Sequence, residues 1–394
     1  MKPKPVSIAS PDLWVRSRLA RPLLVLCQPS AACRSTASGW RIALSMTAAV
    51  LALCTGPALA QESITLKVST FQPEQGNFTT TFRKWADEVT RRTNGRVKFQ
   101  YFYSGALLNT ADTAPGVRDG RADIGFTGAV YEPARLTLST VDSIPFLTNN
   151  VAALGQAYWE TYKASLEMQK EYDDANFKLL VYQPASMNLI FSKKPLAGLN
   201  DLKGLRLRTI GLAVEALKAV GVSPIAIPQD QALDSLQKGL LDGTFGAGLD
   251  LGVDFGFHTA APYIVDPNYG VWASGMHIMN KNAYDKLAPD IRAVMTSVSD
   301  EFMSKHYLPD LQRTEDLRCE KAKKDGAKFS AWPQAELDKW RASTGDTGRQ
   351  RWLATAKAKG HDAEKFLTLL ESRIKEAEKT MTWTSAVRRC MAKS

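Results

Sequence analysis

Residues 64–69 read ITLKVS, alternating apolar and polar side chains as a strand with one buried face does. Phe78, Phe82, Trp85 and Val89 then recur at helical spacing until Asn94-Gly95 interrupts the pattern, and Val97-Lys98-Phe99-Gln100-Tyr101 supplies a second strand. Strand, helix and strand in this order predict a largely parallel sheet covered by helices. In such sheets ligands bind outside the carboxyl ends of the strands.

The pattern has an internal echo. Gly120, Asp123 and Phe126 in Val117–Phe126, and Gly239, Asp242 and Phe245 in Leu236–Phe245, share the spacing G-x-x-D-x-x-F. In both copies a glycine ends an apolar-periodic helix, where it accepts the left-handed conformation, and a short apolar strand follows the aspartate. One copy falls in each half of the chain, which predicts two similar α/β lobes. A length of 394 residues agrees with two lobes and appendages, and 44% apolar with 23% charged residues is an ordinary globular composition.

Residues 1–60 differ from the rest. Arg41 precedes an uncharged run through Val50-Leu51-Ala52-Leu53 that ends in Ala58-Leu59-Ala60, too short for a stable bilayer span and closed by a small-x-small site. This reads as a secretory signal cleaved near Ala60, with an N-terminal anchor helix as the alternative. Residues 1–38 fit as an upstream extension or a long basic n-region. Residues 1–60 hold seven Lys or Arg and one Asp, so the formal charge of +10 falls to about +4 for the remainder. The remaining basic residues are interleaved with acids, so no nucleic acid is expected as a partner. The basic tail beyond Trp383, with Arg388, Arg389 and Lys393, reads as loosely attached. Asp362–Lys379 places Phe366, Leu370, Ile374 and Ala377 on one stripe for docking on the lobes.

Cys319 and Cys390 are the cysteines left after the leader, and their spacing leaves open whether they pair. The four histidines are scattered without metal-ligand spacing, so no metal or cofactor is expected. No nucleophile elbow, phosphate loop or zinc-protease helix occurs. Gly246-Ala-Gly248-Leu-Asp-Leu-Gly252 approximates a dinucleotide fingerprint with its third glycine one residue late, and reads better as tight turning. An exported two-lobed α/β chain without an evident reactive group is the description of a binding protein and not of an enzyme. The segment GLRLRT (204–209) supplies a candidate anchor, because Arg208 lies near a strand's carboxyl end. Arg206 reads as a solvent charge or an interlobe ion pair.

The run Leu199-Asn-Asp-Leu-Lys-Gly-Leu-Arg-Leu-Arg-Thr, with Val220-Gly-Val-Ser-Pro224, Leu236-Gln-Lys-Gly-Leu-Leu-Asp-Gly243, Ile144-Pro-Phe-Leu147 and Met279-Asn280-Lys281, resembles the substrate-binding subunits of tripartite ATP-independent periplasmic (TRAP) transporters over about residues 62–330. The resemblance implies a two-lobed periplasmic-binding-protein-like α/β fold, with mixed sheets flanked by helices, hinge strands and a C-terminal helical region. The boundaries expected are 1–60 for extension and signal, 61–185 with 276–320 for lobe I, 186–275 with 321–360 for lobe II, and 361–394 for a C-terminal helix and tail. It further implies that Arg208 binds a carboxylate bidentately and that TRAP membrane subunits are the partners, the chain itself being periplasmic with no stable membrane insertion after cleavage.

Departures from some sialic-acid-binding relatives shape the ligand. Asn188 stands where they have a second arginine, Gly128 where they have a glutamate, and Gln229 where the family has an aromatic residue. With Phe71, Phe245 and Trp272 as candidate aromatic walls, these predict a monocarboxylate with an apolar or aromatic body and Arg208 as the sole strong charge of the pocket. The alternatives are a C4-dicarboxylate or other organic acid feeding a sensor kinase, and an exported enzyme of unrecognised class.

Overall fold

The structure, a computed structural model, describes residues 63–393, so the leader and its cleavage near Ala60 lie outside the described residues. The first half contains β1 (Ile64–Ser69), α1 (Asn77–Arg92), β2 (Val97–Phe102), α2 (Thr113–Arg118), β3 (Ile124–Thr127), α3 (Val151–Ala164) and β4 (Phe177–Gln183). It continues through β5 (Leu189–Ser192), β6 (Arg206–Arg208), β7 (Ser223–Ile225), α4 (Ala232–Gln237), β8 (Gly243–Ala247), α5 (Leu249–Asp254) and β9 (Tyr263–Asp266). The remainder holds β10 (Gly275–Asn280), α6 (Pro289–Phe302), α7 (Leu308–Lys324), β11 (Lys328–Ala331), α8 (Ala363–Ala377) and α9 (Ala386–Ala392), with further helical segments between. Among the described residues no helix is long and apolar enough to cross a membrane.

Two mixed sheets result, ordered β2-β1-β3-β10-β4 and β11-β9-β5-β8-β6-β7. β1 is parallel to β2 and β3 while β10 is antiparallel to its neighbours; β6 is parallel to β7 and β8 while β5 is antiparallel to β8 and β9. The chain crosses between the sheets after β4 and after β9, and α7 leads back to β11. This is the two-lobed arrangement expected from the resemblance.

The sequence echo has a structural counterpart. Asp123 Oδ2 accepts the Lys67 backbone N–H at 2.7 Å, and the Asp123 N–H donates to Lys67 O at 3.0 Å. Asp242 repeats both bonds with Arg206, at 2.9 Å and 2.9 Å. Each aspartate thus locks the start of a strand to its parallel neighbour, satisfying backbone groups that the short ladder leaves over. The Arg206 guanidinium also pairs with Asp242 at 2.8 Å within the same sheet, so it is not an interlobe charge.

Burial follows strand alternation. One core lies against the first sheet and includes Phe82, Trp85 and Val89 of α1. Two further cores cover the two faces of the second sheet: Ile190, Leu207 and Val265 in one, Leu189, Phe191 and Ile264 in the other. His277 is an interior residue, its ring stacked on Phe82 at 3.7 Å and Nδ1 2.9 Å from Gln183 Oε1, and burial drives its pKa well below the usual value.

The C-terminal region is bound more firmly than the reading of a loose tail allowed. α8 packs on α3 and buries Phe366, Leu370 and Ile374 in the first core. α9 is joined to α7 by a Cys319–Cys390 disulfide, with Val387 fully buried. Its basic residues are paired: Arg388 with Asp266 at 3.1 Å, Arg389 with Glu315 at 2.5 Å and Lys393 with Asp316 at 2.8 Å. These acids come from β9 and α7, distant in sequence, which is why local composition suggested fraying.

Candidate functional site

A cavity opens between the two sheets at the carboxyl ends of β1, β3, β6 and β8. Phe71, Gln72, Phe126, Gly128 and Tyr131 line it from the first lobe, Arg208, Gln229, Gly246 and Asp250 from the second, and Trp272 from the crossing segment between β9 and β10. Its walls are mainly apolar, as those of small-ligand sites are.

Arg208 is 1% exposed, the last residue of β6. Nε donates to Ile227 O at 2.9 Å and Nη1 to Gln229 Oε1 at 2.5 Å, which fixes the plane of the guanidinium. Nη2 has no hydrogen-bond partner among the described residues. Because Gln229 spends its oxygen on Arg208, its amide Nε2 is left over as a donor, and it too is buried and unpartnered among them. Trp272 Nε1 is a third such donor. Burial raises the Tyr131 phenol pKa while the Arg208 charge pulls against it; the hydroxyl is near the guanidinium but not in hydrogen-bond geometry with Nη2.

Local backbone chemistry makes room for these groups. Gly246 has φ 110° and interrupts the register of β8 against β5, a bulge that no residue with a side chain adopts without strain. A Cβ there would stand 2.6 Å from the Trp272 ring, so glycine is needed for the indole to lie against β8. At Gly128 a Cβ would stand 2.9 Å from Ser274 O, which leaves no space for a side chain.

The structure therefore brings together Arg208, Gln229, Phe71, Trp272 and Gly128, and leaves Phe245 and Asn188 off the cavity wall. Phe245 shares the sheet face of Leu207 and Ile190, opposite to that of Arg208 and Thr244, and packs on Tyr269 and Trp340 with ring centroids 4.8 and 5.7 Å away. Its short strand offered no alternation long enough to assign that face. Asn188 is fully buried and holds the crossing segment, donating Nδ2 to Gly270 O at 3.0 Å.

The expectation that Arg208 is the sole strong charge also needs correction, because Asp250 lines the same cavity at 1% exposure. Burial raises its pKa to about 7, with repulsion from Glu315 and Asp254 adding to the effect. Sequence reading passed over Asp250, Gln72 and Tyr131. The usable signal was position: Gln72 follows the end of β1, Tyr131 the end of β3, and Asp250 begins the helix after β8, all at strand carboxyl ends. Among the described residues no cluster of His, Cys, Asp and Glu is arranged to hold a metal ion.

Comparison with known proteins places the chain in a family and shows its fold. The profile of the bacterial extracellular solute-binding proteins, family 7, matches residues 68–350. A monocarboxylate 2-oxoacid-binding periplasmic protein of Nostoc is 27% identical over 224 residues, which are 55% of this chain and 60% of that protein. Among solved structures, a TRAP solute-binding protein of Rhodoferax ferrireducens in complex with copurified benzoate superposes with a TM-score of 0.73 at 22% identity, covering 80% of this chain and 99% of that one. A TRAP periplasmic solute-binding protein of Bordetella bronchiseptica with bound (R)- and (S)-mandelate gives a TM-score of 0.70 at 25% identity, covering 79% and 99%.

Proposed function

Because this chain belongs to family 7 of the bacterial extracellular solute-binding proteins, the periplasmic binding components of TRAP transporters, we propose that it captures a monocarboxylate with an apolar or aromatic body and hands it to TRAP membrane subunits. The observation that carries this reading is that three residues lining a mainly apolar cavity each have a buried N–H donor without a partner among the described residues: Arg208 Nη2, Gln229 Nε2 and Trp272 Nε1. A carboxylate supplies the acceptor lone pairs that these donors need, and a planar guanidinium matches its two oxygens. That relatives bind a 2-oxoacid, benzoate and mandelate supports the same ligand class.

In the mechanism the lobes admit the anion, Arg208 with Gln229 takes its carboxylate, and Phe71 and Trp272 flank its body. Closure about the segments after β4 and β9 then buries the pair and removes competing water. Contacts between the lobes include Asn77 N–H to Asp254 Oδ2 at 3.3 Å and the ion pair of Arg318 with Asp254. The leader is removed near Ala60 on export, and lobe I takes 61–185 with 276–320, lobe II 186–275 with 321–360.

Mass spectrometry of the small molecule released by denaturing the purified protein, followed by thermal shift with the identified acid, tests this reading. An unmodified monocarboxylate is expected. Recovery of a chemically altered compound would favour an enzyme, and the absence of a thermal shift with any organic acid would end the proposal.

A further inference from the structure

We propose that Asp250 is a specificity-determining residue that holds a hydroxyl group of the bound acid, so that hydroxy-substituted carboxylates are preferred over their unsubstituted parents. The inference rests on the carboxylate reading above and deepens it.

The unpartnered polar atoms of the cavity-lining residues fall into three chemical kinds, of which the Thr127 hydroxyl, able both to donate and to accept, is one. Those of Arg208, Gln229 and Trp272 are donors, whereas Asp250 Oδ1 and Gln72 Oε1 are acceptors, both on residues 1% exposed and both without a partner among the described residues. The Oδ1 atom is adjacent to the cavity-lining Gly248, where a Cβ would stand 2.9 Å from it. Its sister atom Oδ2 is already engaged by Asn77 Nδ2 at 3.3 Å. A carboxylate has no hydrogen to give to these acceptors, and leaving a buried acceptor unpaired is unfavourable. A donor on the ligand's body removes that penalty.

Charge decides between a hydroxyl and an ammonium. Around Asp250 stand Glu315, Asp254, Arg318 and the Asn77 amide; Glu315 is paired with Arg389 and with Ser186, and Asp254 with Arg318. The local acids therefore already have cationic partners. With its pKa raised to about 7, Asp250 is divided between acid and carboxylate near neutrality. A hydroxyl satisfies either form, donating to the carboxylate or accepting from the acid, whereas an ammonium can only donate. A site that must reject acids lacking the hydroxyl gains discrimination from a buried group that they leave unpaired.

Isothermal titration of matched pairs tests the assignment: benzoate with 3-hydroxybenzoate, phenylacetate with mandelate, and hexanoate with 6-hydroxyhexanoate. In the native protein at least one hydroxy acid is expected to bind ten-fold or more tightly than its parent. In Asp250→Ala that advantage is expected to fall below three-fold. Asp250→Asn, near-isosteric and still able to accept and donate, is expected to fold and to retain part of the preference. Equal affinities within every pair, an advantage that survives Asp250→Ala, or tighter binding of 3-aminomethylbenzoate than of 3-hydroxybenzoate would overturn the proposal. If no acid of either kind binds, the carboxylate reading has failed and this one with it; if parents bind and lose affinity in Arg208→Met while the pairs stay equal, only the assignment of Asp250 has failed.

Discussion

Arg208 Nη1 donates to Gln229 Oε1 at 2.5 Å, and this bond orients both side chains at once. The amide is left with its N–H groups and the guanidinium with its Nη2 edge, so two lining residues 21 positions apart keep donors without a partner among the described residues. Preorganisation of this kind lowers the entropic cost of binding, because neither side chain has to be ordered by the ligand.

Arg208→Met is therefore expected to weaken binding of a carboxylate ligand by about 100-fold, since charge-assisted bonds are worth roughly 1.5–3 kcal/mol. Gln229→Leu should weaken it less, about ten-fold, because it removes one donor and frees the guanidinium to move. Calorimetry on the two variants orders the effects; a larger loss in Gln229→Leu would contradict the assignment of roles.

Gly246→Ala is expected to lower stability by roughly 1–3 kcal/mol, through a positive φ unsuited to a side chain and a clash with Trp272 at 2.6 Å. Displacing the indole should also reduce ligand affinity. Chemical denaturation read alongside tryptophan fluorescence checks both, and a neutral substitution would show that the bulge is not required.

The Cys319–Cys390 disulfide closes a separation of 71 residues and ties α9 to α7. Removing it by Cys319→Ser with Cys390→Ser is expected to lower stability by roughly 2–4 kcal/mol, by enlarging the unfolded ensemble. Matching denaturation midpoints for the native protein with and without reductant would argue that packing of Val387 and the ion pairs of Arg388 and Arg389 suffices.

Asp250 gives a pH dependence with a defined sign. Burial chiefly, with Glu315 and Asp254 nearby, raises its folded pKa to about 7, against roughly 3.9 for an unfolded aspartate. The folded state thus holds the proton more tightly, and this contribution to stability is complete below about pH 4 and lost as pH rises through about 7. Asp250→Asn has no such proton to lose. Its melting temperature should exceed that of the native protein at pH 8, and the difference should shrink toward pH 4; a pH-independent difference would refute the linkage.

Much of the architecture was legible because it is written in local periodicity. The alternation at 64–69, the helical spacing of Phe78, Phe82, Trp85 and Val89, and the repeated G-x-x-D-x-x-F each report a nearest-neighbour constraint, and the two aspartates do equivalent work in the two sheets. Arg208 was legible as an uncompensated charge at a strand's end. Phe245 and Asn188 were not, since which face of a three- to five-residue strand enters the core depends on a bulge and on a partner segment far away in sequence.

The sequence by itself determined the α/β class, the pair of lobes and the place of Arg208 near a strand's carboxyl end, all set by spacing within a few residues. Only the tertiary structure decided what completes the site and what secures the C-terminus. Asp250, Gln72 and the indole of Trp272 meet Arg208 because two sheets built from interleaved segments face one cavity, and Arg388 and Arg389 find Asp266 and Glu315 across more than 70 residues. Desolvation gives these polar groups their chemical weight, and it exists only after the chain has closed around them.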